Sequence, residues 1–381
     1  MNLALSDEQV FLREAARGAL SRFKTLEAAR EALDGNDDAM PDLWPVAREA
    51  GWPGLLIDEA HGGAELDAFD AMLVLGECGR VIAGIPLLGH LPATAILGDA
   101  SGDAPMLDEL ATGERRAAYL PVSPPDDIDA RWTVDSAHGA ARPSAPTAVG
   151  DGDGKARVSG KLAFVPDAPG ADLLVGVALL DGQQPVGVAI ESGAQGVSVE
   201  ALTRYDSTRS LGHVSLENAP ATVLDTPLES LAGAWYLAQS LIAAESLGSV
   251  ETALDVSVAY AKERFTFGRA IGSYQAVKHS LTEVLRQLEN GRSLLYYAGW
   301  ARGGAPGEFP LAASAVRSVA GRALDTAART MISVHGGIGA TWEHDAPLYF
   351  RRAQLSRRLL GGTAKATDRV AGELIAQADA A

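Results

Sequence analysis

Leu12, Ala16, Leu20 and Phe23 recur at helical spacing behind a Ser6 and Gln9 pair that has the form of a capping box, which predicts an amphipathic helix at the start of the chain. Helical patterning continues through residues 43–51 and 67–80, which are separated by the turn-like Asp58-Glu59-Ala60-His61-Gly62-Gly63. Helix-compatible segments then extend to about Thr112. From Ala117 to about Val223 the pattern changes to short alternating or apolar runs, among them 162–165, 173–180, 186–190 and 197–202, broken by Gly, Pro and Asp. That is the pattern of a β domain. Helices return from Leu228, where Leu237, Leu241, Ala244, Leu247, Gly248, Val250, Leu254 and Val258 form a drifting apolar stripe suited to a long helix buried on more than one side. Further helices are predicted near 274–300, 310–334 and 364–378. The predicted organisation is α+β without internal repeats: an N-terminal helical domain (1–115), a middle β domain (116–226) and a C-terminal helical domain (227–381).

Composition narrows the function. A chain of 381 residues with 47% hydrophobic content can bury a large core, as one large domain or two to three modules. Its 49 acidic residues against 32 Lys and Arg give a net charge of −17, an unfavourable long-range field for nucleic acid. Cys78 is the only cysteine, which excludes an internal disulfide and reads as packing in an apolar helix. The opening Met1-Asn2-Leu3-Ala4-Leu5-Ser6-Asp7-Glu8 lacks a basic segment followed by an apolar core, and no apolar run is long enough to span a bilayer. A cytoplasmic location without membrane insertion is therefore expected.

Two nucleotide motifs are absent. Gly150-Asp151-Gly152-Asp153-Gly154 reads as a hairpin turn, because Lys155 is followed by Ala156 and position 149 is Val, against the phosphate-loop pattern. No G-x-G-x-x-G opens a helix after a strand.

Six motifs in order nevertheless resemble the acyl-CoA dehydrogenases: Leu43-Trp44 with Ala50-Gly51-Trp52-Pro53-Gly54-Leu55; Gly62-Gly63; Gly76-Glu77-Cys78-Gly79-Arg80; Asp206-Ser207-Thr208-Arg209; the stretch from Arg264 to Gln275; and His335-Gly336-Gly337-Ile338-Gly339. Residues 335–352 are especially similar to actinobacterial members that handle CoA esters of steroids and other bulky acids. The resemblance spans the chain. It implies two helical domains around a β domain, a C-terminal four-helix bundle, four-chain assembly, and an FAD lying between two subunits. By position, Arg264 and Thr266 would bind the pyrophosphate of a neighbour's FAD, with guanidinium and hydroxyl donors. Phe267 would pack on the cofactor, while Gln275 and the side-chain-free Gly336-Gly337 would meet the adenosine diphosphate part. Ile271, Tyr274, Ser333, Phe164 and Thr363 complete the cofactor set implied by the resemblance. The competing reading makes Arg264 and Arg269 plain cations near a helix C-terminus, with Phe265 and Phe267 in the core.

The departures from the family pattern are equally specific. Its catalytic glutamate usually precedes a Gly-Thr pair, where this chain has Gly361 before Gly362-Thr363; the alternative base position aligns with Ala238, followed by Gln239. Neither residue can take a proton, and a positioned base contributes typically ~10²–10⁴-fold. The loop that supplies flavin hydrogen bonds aligns with Val122-Ser123-Pro124 and Pro125-Asp126-Asp127, without the threonine. The segment beside the isoalloxazine aligns with Phe164-Val165-Pro166, which keeps an aromatic and loses a hydroxyl and an N–H. Ser333 stands where a glutamine is usual. Glu245, about 10 Å along the helix from Ala238, is too distant to replace the base. Glu343, His344 and Asp345 read as interface or capping residues, and Tyr296, Tyr297 and Trp300 as core more readily than a pocket.

Residues that would hold a neighbour's FAD are thus mostly kept, while those that would hold and use the chain's own flavin are mostly altered. This asymmetry points to the first of three functions. The first is a subunit that completes the FAD site of a homologous glutamate-bearing partner, which would act on acyl-CoA and pass electrons to an electron-transfer flavoprotein or similar acceptor. The second is a homomeric flavoenzyme with redirected chemistry, such as an oxidase or monooxygenase. The third is a flavin-free structural relative.

Overall fold

The computed structural model describes residues 4–36, 39–101, 106–126, 129–139 and 141–379; residues 1–3 and Asp127, named above, lie outside them. Helix α1 (Asp7–Leu20) begins with the predicted capping box, Ser6 and Gln9 exchanging both bonds at 3.2 Å. It is followed by α2 (Thr25–Leu33), α3 (Trp44–Glu49), α4 (Ala68–Arg80), α5 (Leu87–Gly98) and α6 (Met106–Ala111). Arg17 of α1 reaches buried Glu77 of α4 through two bonds of 2.9 Å, so a planar fork fixes the outer helix on the inner one.

The β domain has β1 (Ala117–Leu120), β2 (Thr147–Gly152), β3 (Lys155–Pro166), β4 (Leu173–Leu180), β5 (Gln184–Glu191), β6 (Val197–Ala201) and β7 (Leu211–Leu224). Pairing runs β4–β2–β3–β7–β5 and returns from β5 to β4, closing a ring of five strands, with β1 joined to β4 and β6 to β7. Closure leaves the central strands without free edges. The predicted turn is a two-residue hairpin: Asp153 and Gly154 have φ of 47° and 70°, and a bulge between Gly150 and Gly152 takes up the extra residue.

Helix α7 (Leu228–Glu263) leads the C-terminal helices, followed by the small hairpin β8 (Phe265–Thr266) and β9 (Arg269–Ala270), then α8 (Gln275–Gly304), α9 (Phe309–His335), α10 (Ala346–Ser356) and α11 (Gly362–Asp379). Helix α9 packs on α7, α8, α10 and α11. Helix α7 also crosses α4 closely. A Cβ at Gly79 would lie 1.9 Å from the Glu245 carbonyl oxygen, and one at Gly248 would lie 1.9 Å from that of Gly76. Gly79 of the Gly76-Glu77-Cys78-Gly79-Arg80 motif and Gly248 of α7 are thus required by backbone contact between two domains, whereas a Cβ at Gly76 would meet nothing nearer than 3.9 Å. No helix of the described residues is long and apolar enough to cross a membrane.

Candidate functional site

Helix α7 ends at Glu263 because Arg264 turns to extended backbone (φ −79°, ψ 120°), and its N–H still closes the last helical turn on Tyr260. The chain then folds into the β8–β9 hairpin, whose tip is Phe267 (φ 53°) and Gly268 (φ 78°). Phenylalanine in that left-handed region is strained. Its ring is also 92% exposed, and Phe265 is 64% exposed, so neither belongs to the core. Tyr274 braces the hairpin from outside, donating its hydroxyl to the Thr266 carbonyl at 2.9 Å, while Arg269 lies over the Tyr274 ring at 4.0 Å.

Thr266, Phe267, Ile271 and Tyr274 line one cavity of about 450 Å³ together with Ser333 and Val334 of α9. Four predicted hairpin-side residues and one predicted α9 residue therefore share a surface. Arg264 and Gln275 flank it in sequence and are exposed, and no hydrogen bond or ion pair of either side chain is found among the described residues. Gly336 (φ 63°) and Gly337 (φ −53°) follow α9, both exposed, with nothing within 4 Å of a Cβ built on either. An exposed unpaired guanidinium, an amide, and open backbone suit a ligand carrying phosphates and a nucleoside. Nearby His335 is buried in a ring stack with Tyr260 and His344, at 4.3 and 4.2 Å between centroids.

Phe164 and Thr363 lie elsewhere, outside the residues lining this cavity. Phe164 occupies a bulge of β3 with φ 56°, is 37% exposed, and meets His213 edge-on at 5.1 Å. Thr363 packs its methyl towards Gly321 of α9, where a Cβ would come within 2.2 Å.

The two base positions are enclosed. Ala238 is wholly buried, and Gly361 sits in a turn where Leu360, Gly361 and Gly362 all have positive φ (54°, 81° and 72°). A Cβ at Gly361 would meet Trp235 at 3.0 Å and Arg142 at 3.4 Å. A second cavity, about 510 Å³, is lined by Asp99, Glu229, Tyr236, Arg302 and Phe309 and by none of the predicted site residues. Burial lowers the Arg302 pKa against the opposing pull of Asp99 and Asp67.

The sequence reading left the deepest charged cluster without a role. Arg352 of α10 donates Nε to Asp206 at 2.8 Å and pairs with Glu245 of α7. Arg209 pairs with the same Glu245, and Thr208 bonds both Asp206 and Arg352. All are buried. Burial opposes ionisation of Asp206 but Arg352 and Thr208 outweigh it, holding the carboxyl below the usual range. Glu245 is thus committed to two arginines, which removes it as a base for a reason beyond its distance from Ala238. Of the residues read as interface or capping, Asp345 holds the N-cap position of α10 without a side-chain cap bond and pairs with Arg30, while His344 Nδ1 accepts the first helical N–H, from Ala346, at 3.0 Å. Tyr296 packs on Phe69, with 4.6 Å between centroids, whereas Trp300 is 40% exposed beside Tyr297 and so is corrected as a core residue.

The sequence patterns of the acyl-CoA dehydrogenase N-terminal and C-terminal domains match residues 6–122 and 237–375. The chain is 32% identical to acyl-CoA dehydrogenase FadE34 of Mycobacterium tuberculosis over 97% of its own length, spanning 48% of that relative. It is 30% identical to acyl-CoA dehydrogenase IpdE2 of the same organism over 97% of this chain and 98% of that one. Among solved structures, the Tcur3481-Tcur3483 steroid ACAD, in a variant form, superposes with a TM-score of 0.84 at 28% identity, covering 98% of this chain and 99% of that chain.

Proposed function

The chain belongs to the acyl-CoA dehydrogenase family, oxidoreductases acting on CH–CH groups, and we propose that within it this chain completes the FAD site of a glutamate-bearing partner subunit. One observation carries the reading. Phe267 is almost fully exposed, in a strained conformation, at the tip of a hairpin that also presents Thr266 and an unpaired Arg264. Such a residue is stabilised when another molecule covers it, since burying a phenylalanine contributes roughly 1.5–3 kcal/mol.

Arg264 and Thr266 would hold the pyrophosphate, Phe267, Ile271 and Tyr274 the adjoining apolar surface, and Gln275, Ser333, Gly336 and Gly337 the adenosine side. FAD supplies the two-electron acceptor for oxidation of a CH–CH bond. The proton that leaves the α carbon of an acyl-CoA needs a base, and neither Ala238 nor Gly361 of this chain is one, so that step falls to the partner's glutamate. A relative named as a pair of components and as a steroid ACAD supports a heteromer acting on bulky acyl-CoA thioesters. An electron-transfer flavoprotein or similar protein would then take the electrons.

The test is reconstitution. The chain alone should show negligible oxidation of short, long and steroid-like acyl-CoA thioesters with an artificial acceptor, and the mixed complex should be active and bind FAD. Robust turnover by the chain alone would favour the homomeric flavoenzyme instead.

A further inference from the structure

We propose that this chain's own flavin-ring position is closed by its own side chains, with Arg142 strapping the β domain onto the turn between α10 and α11. The proposal rests on the complementing role above and gives the physical reason why this chain is confined to it. In that turn three successive carbonyls are taken by three different elements. Leu359 accepts from Arg317 of α9 at 2.9 Å, Leu360 from Gln239 of α7 at 3.1 Å, and Gly361 from Arg142 Nη2 at 2.9 Å. Arg142 lies in the segment between β1 and β2, and its Nη1 stands 3.2 Å from Asp135 of the same segment. The strap therefore comes from the β domain and ends at the residue that replaces the glutamate.

The β side is equally engaged. Val122, Ser123 and Pro124, aligned with the flavin-bonding loop, are buried. Ser123 gives its N–H to the Thr133 carbonyl at 2.8 Å and receives the Thr133 N–H at 3.1 Å, so its backbone polar groups are spent on the neighbouring segment. Further along, Asp126 meets Lys365 of α11 at 3.3 Å. A planar ring needs about 7 Å between its walls, twice the ~3.5 Å optimum for carbon contacts. Here the β-domain segment and the α10–α11 turn touch through the Arg142–Gly361 hydrogen bond. Trp235 of α7 also stands close, 3.0 Å from where a Cβ of residue 361 would lie. The residues present do not fit an isoalloxazine, although the hairpin cavity on the same chain fits the other end of a dinucleotide.

Two measurements test the strap. Purified chain, alone and in complex with a glutamate-bearing partner, is incubated with excess FAD and desalted, and flavin is quantified after denaturation. The expected result is no flavin above background on the chain alone and one flavin per pair in the complex; one flavin on every copy of this chain overturns the proposal. Failure of this chain to increase the partner's flavin content would instead overturn the complementing role and leave the strap standing. In hydrogen exchange of the intact chain, Arg142→Ala should accelerate the Gly362 and Thr363 amides at least about tenfold, because loss of a half-buried charged bond lowers the local opening free energy. Unchanged exchange at those amides overturns the strap, and the flavin count on the unaltered chain decides the matter should that variant not fold.

Discussion

Arg317 Nη2 donates to the Leu359 carbonyl at 2.9 Å and to the Ser356 carbonyl at 2.6 Å from a fully buried position, without a salt-bridged carboxylate among the described residues. Burial pulls its pKa down to about 10, so it remains a cation at neutral pH. The compensation lies in the acceptors: Ser356 is the last residue of α10, whose C-terminal carbonyls carry the negative end of the helix dipole. The turn replacing the catalytic base is thus held by a buried charge.

Replacing that charge should be costly. Arg317→Met removes the charged donor from the Ser356 carbonyl and leaves the Leu359 carbonyl with only the Gly362 N–H, and the expected loss is about 1–3 kcal/mol of unfolding free energy. Urea denaturation reads it as a lower midpoint. An unchanged or raised midpoint would mean that relief of desolvation outweighs the lost bonds.

The two glycines after α9 should separate conformation from ligand contact. Gly336 has φ 63° with ψ −134°, outside the left-handed helical well and favourable only for glycine, so Gly336→Ala should cost about 1–3 kcal/mol whatever binds there. Gly337 has helical angles and open space around it, so Gly337→Ala should leave the melting temperature unchanged or slightly raised. In the mixed complex the same Gly337→Ala change should weaken FAD binding about tenfold, or 1.4 kcal/mol, if a phosphate or ribose approaches the backbone. Unaltered FAD affinity would remove Gly337 from the cofactor site.

Arg264→Ala provides the matching test of the hairpin. The side chain is exposed, so thermal stability of the isolated chain should change little. Loss of a charge-assisted bond to pyrophosphate should lower FAD affinity in the complex by roughly 1.5–3 kcal/mol. Equal affinity, measured by titration of the flavin-depleted complex, would return Arg264 to the role of a helix-end cation.

The elements were legible where periodicity is strong. The capping box, the long α7 stripe and the β runs appear as expected, and the turn expected over 150–154 appears narrowed to Asp153-Gly154, because each is a local pattern with a local cause. Helix α10 was not anticipated as a helix, since its Arg351-Arg352 pair obscures the apolar face and half its meaning is a partner 107 residues away: Arg352 on Glu245. The clamp residues were legible as a motif, and Ser333, read as a departure, shares their cavity. Invisible in sequence were the contacts of residue 142 with 361, or 317 with 359, where side chains meet backbone carbonyls and neither partner carries a pattern.

A buried acid predicts the pH response. Asp167 accepts the Gly89 N–H at 2.8 Å, and burial raises its pKa to about 6, against which that bond and Arg209 act. A carboxyl whose pKa is raised by folding favours the folded state below its unfolded value near 4, and that contribution is lost as pH rises through about 6. His90 works in the opposite sense, since burial lowers its pKa to about 4. The difference between Asp167→Asn and the unaltered chain isolates the acid: the variant should be more stable at pH 7.5, by as much as about 3 kcal/mol, with the advantage shrinking towards pH 4. A pH-independent difference would contradict it.

Restoring the family's carboxylate at residue 361 should fail, and for a stereochemical reason. Gly361 has φ 81°, so Gly361→Glu forces a side chain into left-handed backbone at roughly 1–2 kcal/mol. Its Cβ would meet Trp235 at 3.0 Å and Arg142 at 3.4 Å, tight contacts before the carboxylate is placed at all. The carboxylate would also emerge beside the Arg142 guanidinium, where an ion pair favours its charge and lowers its strength as a base. The expected outcome is a destabilised chain with no acyl-CoA oxidation alone and little change in the activity of the mixed complex, whereas removal of the partner's glutamate abolishes that activity. Dehydrogenation by isolated Gly361→Glu, followed with an artificial acceptor, would show that the turn can open and that only the base was missing.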